Sequence, residues 1–329
     1  MTVSFYYPAL FSPHYEPPQN FPSHVEEAVL NIYKACEGFG TDEKALIQAL
    51  TAVNDVDREL IIHRYKQVYN VELKDLVKSE TSGDFGFLAR LLSMPLPEME
   101  TFVINEACRG LGTNEKLLYP VIVARTPDEM ELLKRTYFDK YNQDLAVLMD
   151  SELSGDFRKV IIAAVQAQML EYNPEYHTQE RAQEDAEKLY NAGQGKWGTD
   201  EETFINVLFS SPPQYLELVN AWYAKKYNNT IVIAVEKEFG GDAKRSLLYY
   251  VGSSLDPYKT FAEHLESTMK GFGTDEKGLS VALVRFRPFL AEVSAAYERL
   301  YDTSLKDRIK GETSGDYREL LLALFDAPH

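Results

Sequence analysis

The chain has 329 residues, 45% of them hydrophobic, and 34 basic residues against 51 acidic ones leave a formal net charge of −17. That length and apolar content suffice for a sizeable core, whereas the acidity argues against nucleic acid as a partner and against constitutive attraction to an anionic membrane. Two cysteines, Cys36 and Cys108, are too few for a disulfide framework and suit a reducing compartment.

Residues 1–23 hold five of the 15 prolines, at 8, 13, 17, 18 and 22, interleaved with Phe5, Tyr6, Tyr7, Phe11, Tyr15 and Phe21. This composition predicts a tail of extended, polyproline-like backbone. The first basic residue is Lys34, so there is no basic n-region of a secretory signal, and a cytoplasmic protein is expected. The longest apolar run, Val160 to Val165, is far below the roughly 18 residues a spanning helix needs, so membrane contact would be peripheral.

From residue 24 onward one wording recurs four times. It reads Gly38-Phe39-Gly40-Thr41-Asp42-Glu43, then Gly110-Leu111-Gly112-Thr113-Asn114-Glu115, then Gly195-Lys196-Trp197-Gly198-Thr199-Asp200-Glu201, then Gly271-Phe272-Gly273-Thr274-Asp275-Glu276. A second phrase follows at a nearly fixed distance: Glu80, Glu152 and Glu238 stand 40 residues after the last glycine and Glu312 stands 39 after it, each opening a Ser/Gly-Gly-Asp turn. Two phrases at fixed separation, repeated four times, define a repeat protein with a unit of about 70 residues. The step from Gly112 to Gly198 is 86 residues against 72 and 75 for the others, and the excess falls in a polar linker at 168–183. The expected organisation is a tail at 1–23, repeats at 24–94, 95–167, 184–254 and 255–329, and that linker.

Within each unit the pattern predicts helices. Ala45, Leu46, Ala49 and Leu50, and then Ile61, Ile62, Tyr65, Val68 and Tyr69, recur at helical spacing and are candidate core; Trp222, beside Leu218 and Val219, is expected there too. Thr41, Thr113, Thr199 and Thr274 are expected N-caps followed by acids that suit the helix dipole. Thr126-Pro127-Asp128-Glu129 and Ser211-Pro212-Pro213-Gln214 read as capping boxes, and Asp84, Asp156, Asp242 and Asp316 as N-caps of the last helix of each unit.

A Gly-x-Gly-Thr turn admits positive φ and leaves carbonyls turned outward as hard oxygen donors. Calcium takes six to eight oxygens in flexible geometry, and Glu80, Glu152, Glu238 and Glu312 are the carboxylates on offer. Three loop carbonyls and a bidentate glutamate make five oxygens, leaving roughly two positions of a seven-coordinate ion open and about one positive charge unneutralised. A phosphate head group fits that vacancy.

These repeated phrases resemble the annexin family over about residues 24 to 328. The resemblance implies an all-α annexin fold, four repeats of five helices forming a slightly curved disc, whose calcium-bearing face meets anionic, phosphatidylserine-like phospholipid. It also implies the donors: carbonyls of Cys36, Gly38 and Gly40 with Glu80; Cys108, Gly110 and Gly112 with Glu152; Gly193, Lys196 and Gly198 with Glu238; and Met269, Gly271 and Gly273 with Glu312. All four sets read as complete. Phe39, Leu111, Trp197 and Phe272 at the loop tips are the expected membrane contacts, with the Trp197 indole suited to the bilayer interface. The protein would stay cytoplasmic until calcium rises, then settle peripherally on membranes, with self-association there an open alternative; the tail is the family's variable, partner-binding part or equally a strap packed by its aromatics over the concave face, and it is assigned no partner.

Two other readings compete with calcium-dependent lipid binding. Some annexins have been proposed to conduct cations through a polar channel, and Arg125 matches an arginine often found near it. The family's glutamate five residues earlier is Pro120 here, however, and Val53 and Ser211 stand at the matching arginine positions of repeats one and three. The family also suggests a scaffold that regulates membrane enzymes. Catalysis by the chain itself is not expected: the six histidines form no HExxH, no GxSxG is present, and Gly193-Gln194-Gly195-Lys196 lacks phosphate-loop spacing.

Overall fold

A computed structural model describes residues 20–38, 40–195 and 198–327. Residues 1–19 of the N-terminal tail predicted at 1–23 lie outside the described residues. Repeat one contains α1 (Ser23–Ala35), α2 (Glu43–Thr51), α3 (Asp55–Tyr69), α4 (Leu73–Glu80) and α5 (Gly83–Leu92). Repeat two contains α6 (Leu96–Ala107), α7 (Glu115–Ile122), α8 (Pro127–Tyr141), α9 (Leu145–Glu152) and α10 (Gly155–Gln166). Repeat three contains α11 (Gln179–Ala192), α12 (Glu201–Ser210), α13 (Pro213–Tyr227), α14 (Ile231–Glu238) and α15 (Gly241–Leu255). Repeat four contains α16 (Pro257–Met269), α17 (Glu276–Phe286), α18 (Leu290–Tyr301) after a short 3-10 turn, α19 (Leu305–Glu312) and α20 (Gly315–Asp326). The expected five helices per repeat are present, and α11 starts inside the stretch read as linker.

The chain divides into two compact units. One spans Glu100–Thr260; the other combines residues up to Met99 with those from Phe261 on. In the first, Leu133, Tyr137 and Val160 of repeat two and Phe204, Leu216, Tyr223 and Leu247 of repeat three are fully buried. In the second, Val25, Ile32, Leu46, Ile61 and Leu88 bury against their repeat, as do Phe261, Leu279, Val293 and Leu320 in repeat four. Along α1, for example, Val25, Ala28, Val29, Ile32 and Ala35 are all buried, so the helix is held by one packed stripe.

The third helix of every unit ends alike. Asn70, Asn142, Asn228 and Asp302 adopt φ of 55°, 50°, 51° and 54°. Asn and Asp tolerate this left-handed conformation because their short side chains can bond locally, which stops the helix and starts the next.

Several local expectations are corrected. The N-caps of α2, α7, α12 and α17 are Asp42, Asn114, Asp200 and Asp275, whose side chains accept from Ala45, Leu117, Thr203 and Gly278 N–H at 3.0, 3.1, 3.1 and 2.9 Å. The threonines stand one residue earlier and serve the loop instead. The last helices are preceded by Ser82, Ser154, Gly240 and Ser314, which places Asp84, Asp156, Asp242 and Asp316 in the first turn, where they still complement the dipole. Thr126 and Glu129 do form a capping box, but Ser211 donates back to the Val207 carbonyl at 2.7 Å and α13 starts from Pro212 instead. Val68 is exposed. Trp222 is only half-buried; its indole N–H donates to Gln179 at 2.8 Å and Lys225 lies over its ring. A helix face that is apolar by composition is therefore partly a solvated one here.

Candidate cation-binding loops

Each repeat carries its candidate site where the first helix hands over to the second. The N–H of the N-cap residue folds back onto the last turn of the first helix: Asp42 to the Ala35 carbonyl at 2.8 Å, Asn114 to Ala107 at 2.8 Å, Asp200 to Ala192 at 2.6 Å and Asp275 to Thr268 at 2.7 Å. This bond closes a loop whose next carbonyl belongs to Cys36, Cys108, Gly193 or Met269, the residues expected as first donors. The second glycine of each loop turns at nearly one angle, with φ of 89° at Gly40, 86° at Gly112, 84° at Gly198 and 88° at Gly273. Only glycine adopts such φ without steric cost. Among the described residues, no backbone N–H donates to the carbonyls of Cys36, Gly38, Gly40, Cys108, Gly110, Gly112, Gly193, Gly198, Met269, Gly271 or Gly273. Phe39, Lys196 and Trp197 lie outside the described residues, so the expected Lys196 donor and the Phe39 and Trp197 membrane contacts have no structural counterpart here.

The four glutamates are the final residues of α4, α9, α14 and α19. A helix C-terminus carries partial negative charge from unpaired carbonyls, so a carboxylate there raises the negative potential and favours a cation. In repeats one, three and four the threonine before the N-cap tethers loop to acid. Thr41 Oγ1 donates to the Glu80 carbonyl at 2.8 Å, Thr199 Oγ1 to Glu238 Oε2 at 2.6 Å and Thr274 Oγ1 to Glu312 Oε2 at 3.3 Å. The equivalent Thr113 hydroxyl in repeat two is buried without a partner. Gly193 is so close to its acid that a Cβ there would come within 2.8 Å of Glu238 Cγ. In repeats one and two the acid acts on the thiols: burial, then the Glu80 charge, pushes Cys36 up to about 11, and burial, then Glu152 and Glu115, pushes Cys108 up to about 12. Such thiols stay protonated and unreactive.

Loops one to three thus offer neutral carbonyl oxygens beside a single carboxylate, a hard donor set that fits calcium and leaves coordination to be completed from outside. Among the described residues no three His, Cys, Asp or Glu side chains gather as a metal site. Leu111 and Phe272, at two loop tips, are 108% and 112% exposed, well above any other large apolar side chain in the described residues.

The fourth loop differs, and sequence reading missed why. Arg308, four residues before Glu312 on α19, donates through its Nε to Glu266 at 3.2 Å and through Nη2 to the Met269 carbonyl at 2.9 Å, while Nη1 pairs with Glu312. Its guanidinium therefore already engages the first carbonyl and the carboxylate of that set, which the shared wording of the repeats does not show. The signal lay in the aligned repeats: the residues matching Arg308 are Leu76, Leu148 and Ala234, and those matching Glu266 are Tyr33, Asn105 and Tyr190.

A sequence model of the annexin family matches residues 27–91, 101–164, 184–249 and 260–324, one match per repeat. The chain belongs to the annexin family. Human annexin A13 is 34% identical over 308 residues, covering 93% of this chain and 96% of that protein. Annexin III superposes with a TM-score of 0.86 at 32% identity, covering 96% of this chain and 98% of the other. A calcium-bound structure of annexin (Sm)1 superposes with a TM-score of 0.79 at 28% identity, covering 96% and 94%. Annexins as a family bind phospholipid in a calcium-dependent manner, and the all-α, four-repeat annexin fold is this chain's fold.

Arg125, the annexin residue associated with a channel, pairs with Glu100 at 2.6 Å, with the two side chains 1% and 0% exposed. Its charge is committed to a buried carboxylate, at the start of the same unit. No helix among the described residues is long and apolar enough to cross a membrane.

Proposed function

We propose that this annexin binds anionic phospholipid membranes peripherally, through calcium ions held by the loop carbonyls and by Glu80, Glu152 and Glu238, with Glu312 serving the fourth loop. Lipid phosphate would complete the coordination, and Leu111 and Phe272 would enter the interface beside it. The observation that supports the reading is the recurrence of one geometry: a glycine turn whose carbonyls take no backbone donor among the described residues, and a glutamate that ends a helix of the same repeat, tied to the turn's threonine in repeats one, three and four. Calcium supplies the positive charge that turns a repelling acidic surface into an adhesive one; four ions would offset only about half of the net −17. Because lipid and calcium share one coordination sphere, each must raise the affinity for the other by the same factor. Several such loops on one chain then add through effective concentration. The chain's part is binding and positioning rather than catalysis, and its place is the cytoplasm until calcium rises.

Co-sedimentation with phosphatidylserine vesicles across a calcium titration tests this. Binding should appear with calcium and reverse with chelator. Equal pelleting in chelator and in millimolar calcium would sink the proposal.

A further inference from the structure

We infer that Arg308 is a built-in competitor for calcium in the fourth loop, which makes that loop the last to fill. The inference rests on the calcium-binding reading above and sharpens it to one repeat.

The guanidinium presents its donors as a rigid planar fork. Here all three nitrogens are engaged, one on each of Glu266, Glu312 and the Met269 carbonyl. Glu266 is held in turn by the Tyr297 hydroxyl, and Glu312 also accepts from Thr274 at 3.3 Å. Arg308 is 27% exposed, so the pair is part-shielded from water and the charge-assisted bonds keep much of their strength. A calcium ion taking the Met269 oxygen and the Glu312 carboxylate needs the same lone pairs, and it also faces a fixed positive charge within contact distance. Both effects act against the ion. At the register of Arg308 the other repeats carry Leu76, Leu148 and Ala234, which supply neither the donors nor the charge. No acid stands at the register of Glu266 there either, so the arginine and its anchoring acid occur together in repeat four alone.

The chemistry sets the response. Below the threshold the Glu312 carboxylate is paired with Arg308, and the fourth loop has no bridging ion for lipid phosphate. Above it, calcium expels the guanidinium, which swings out still tethered to Glu266. A site that must first break two bonds to a full charge should bind at least ~10-fold more weakly than its neighbours, tenfold being 1.36 kcal/mol.

Equilibrium dialysis of the full chain against radiolabelled calcium, without lipid, reads the sites directly, and thermal melting in chelator reads the latch. Wild type should fill in two phases, the later one at least ~10-fold higher in calcium. Arg308→Leu, the residue repeats one and two carry, should lower the melting temperature in chelator and move the later phase into the range of the earlier one. Adding Glu312→Gln to Arg308→Leu should remove that gained binding. Arg308→Lys keeps the charge and the fold, but a single ammonium cannot span both partners, so the later phase should move part of the way. An Arg308→Leu isotherm that overlays wild type, or a gain that survives Glu312→Gln, overturns the inference while leaving the other three loops standing. Absence of calcium binding in every variant overturns this inference and the proposed function together.

Discussion

Leu111 is the cleanest probe of membrane contact, because its side chain is 108% exposed and has no neighbours in the fold to lose. Replacing it by alanine removes three carbons, and at about 0.8 kcal/mol per buried CH₂ the loss is at most ~2.4 kcal/mol if the side chain is wholly withdrawn from water. A side chain seated at the interface is withdrawn about halfway, which gives ~1.2 kcal/mol and a ~5- to 10-fold weaker partition into lipid. The same change should alter stability by no more than ~0.5 kcal/mol, as for other exposed substitutions. The assay is a vesicle titration at one fixed calcium concentration, read by co-sedimentation, with a melting curve in chelator for each variant. Leu111→Asp should weaken binding further, by adding repulsion from anionic head groups. If the Leu111→Ala curve overlays wild type, the second loop does not enter the membrane; if binding and melting temperature fall together, the side chain serves the fold and the reasoning fails.

Substituting Gln for any one of Glu80, Glu152 or Glu238 should raise the calcium midpoint of vesicle binding modestly, and changing them together with Glu312 should abolish it; a single change as severe as the quadruple would refute shared avidity. Phe272→Ala should matter little in wild type at low calcium and weaken vesicle binding clearly in an Arg308→Leu background, which a double-mutant cycle in co-sedimentation would read. Glu100→Gln should cost about 3–5 kcal/mol in denaturant melts by removing a buried carboxylate charge from beside the Arg125 guanidinium. Burial, then the Arg285 charge, pulls His264 down to about 4 from an ordinary value of 6.5. The unfolded chain therefore holds a proton the fold refuses between those values, so stability should be flat above pH 6.5 and fall by up to ~1.4 kcal/mol per pH unit towards 4. Melting curves of His264→Leu should lack that component.

The features legible in the sequence were those the repeats share. Glu80, Glu152, Glu238 and Glu312 stood out because each repeat needs an acid at one distance from its glycine turn, and the structure ties three of them to the threonine of that turn. Cap assignments slipped by one or two residues where two good capping residues adjoin. Asp42 outcompetes Thr41 because a carboxylate accepts more strongly than a hydroxyl, and the displaced Thr41 finds Glu80. Trp222 and Val68 followed the apolar spacing of α13 and α3, yet burial depends on what packs opposite, which spacing along one helix does not contain. Arg308 and Glu266 went unread for the opposite reason. They are what repeat four does not share with its siblings, and a search for common wording passes over the exception.

In the proposed sites every loop takes its acid from its own repeat, 39 or 40 residues downstream, so no site would borrow a ligand from another module. Duplication of such a unit copies a finished receptor rather than half of one. Afterwards each copy is free to drift in threshold without disturbing its siblings. A chain of this kind can report graded calcium levels by divergence among copies: one arginine at one register position resets one loop, and the scale is lengthened by local substitution instead of by new architecture.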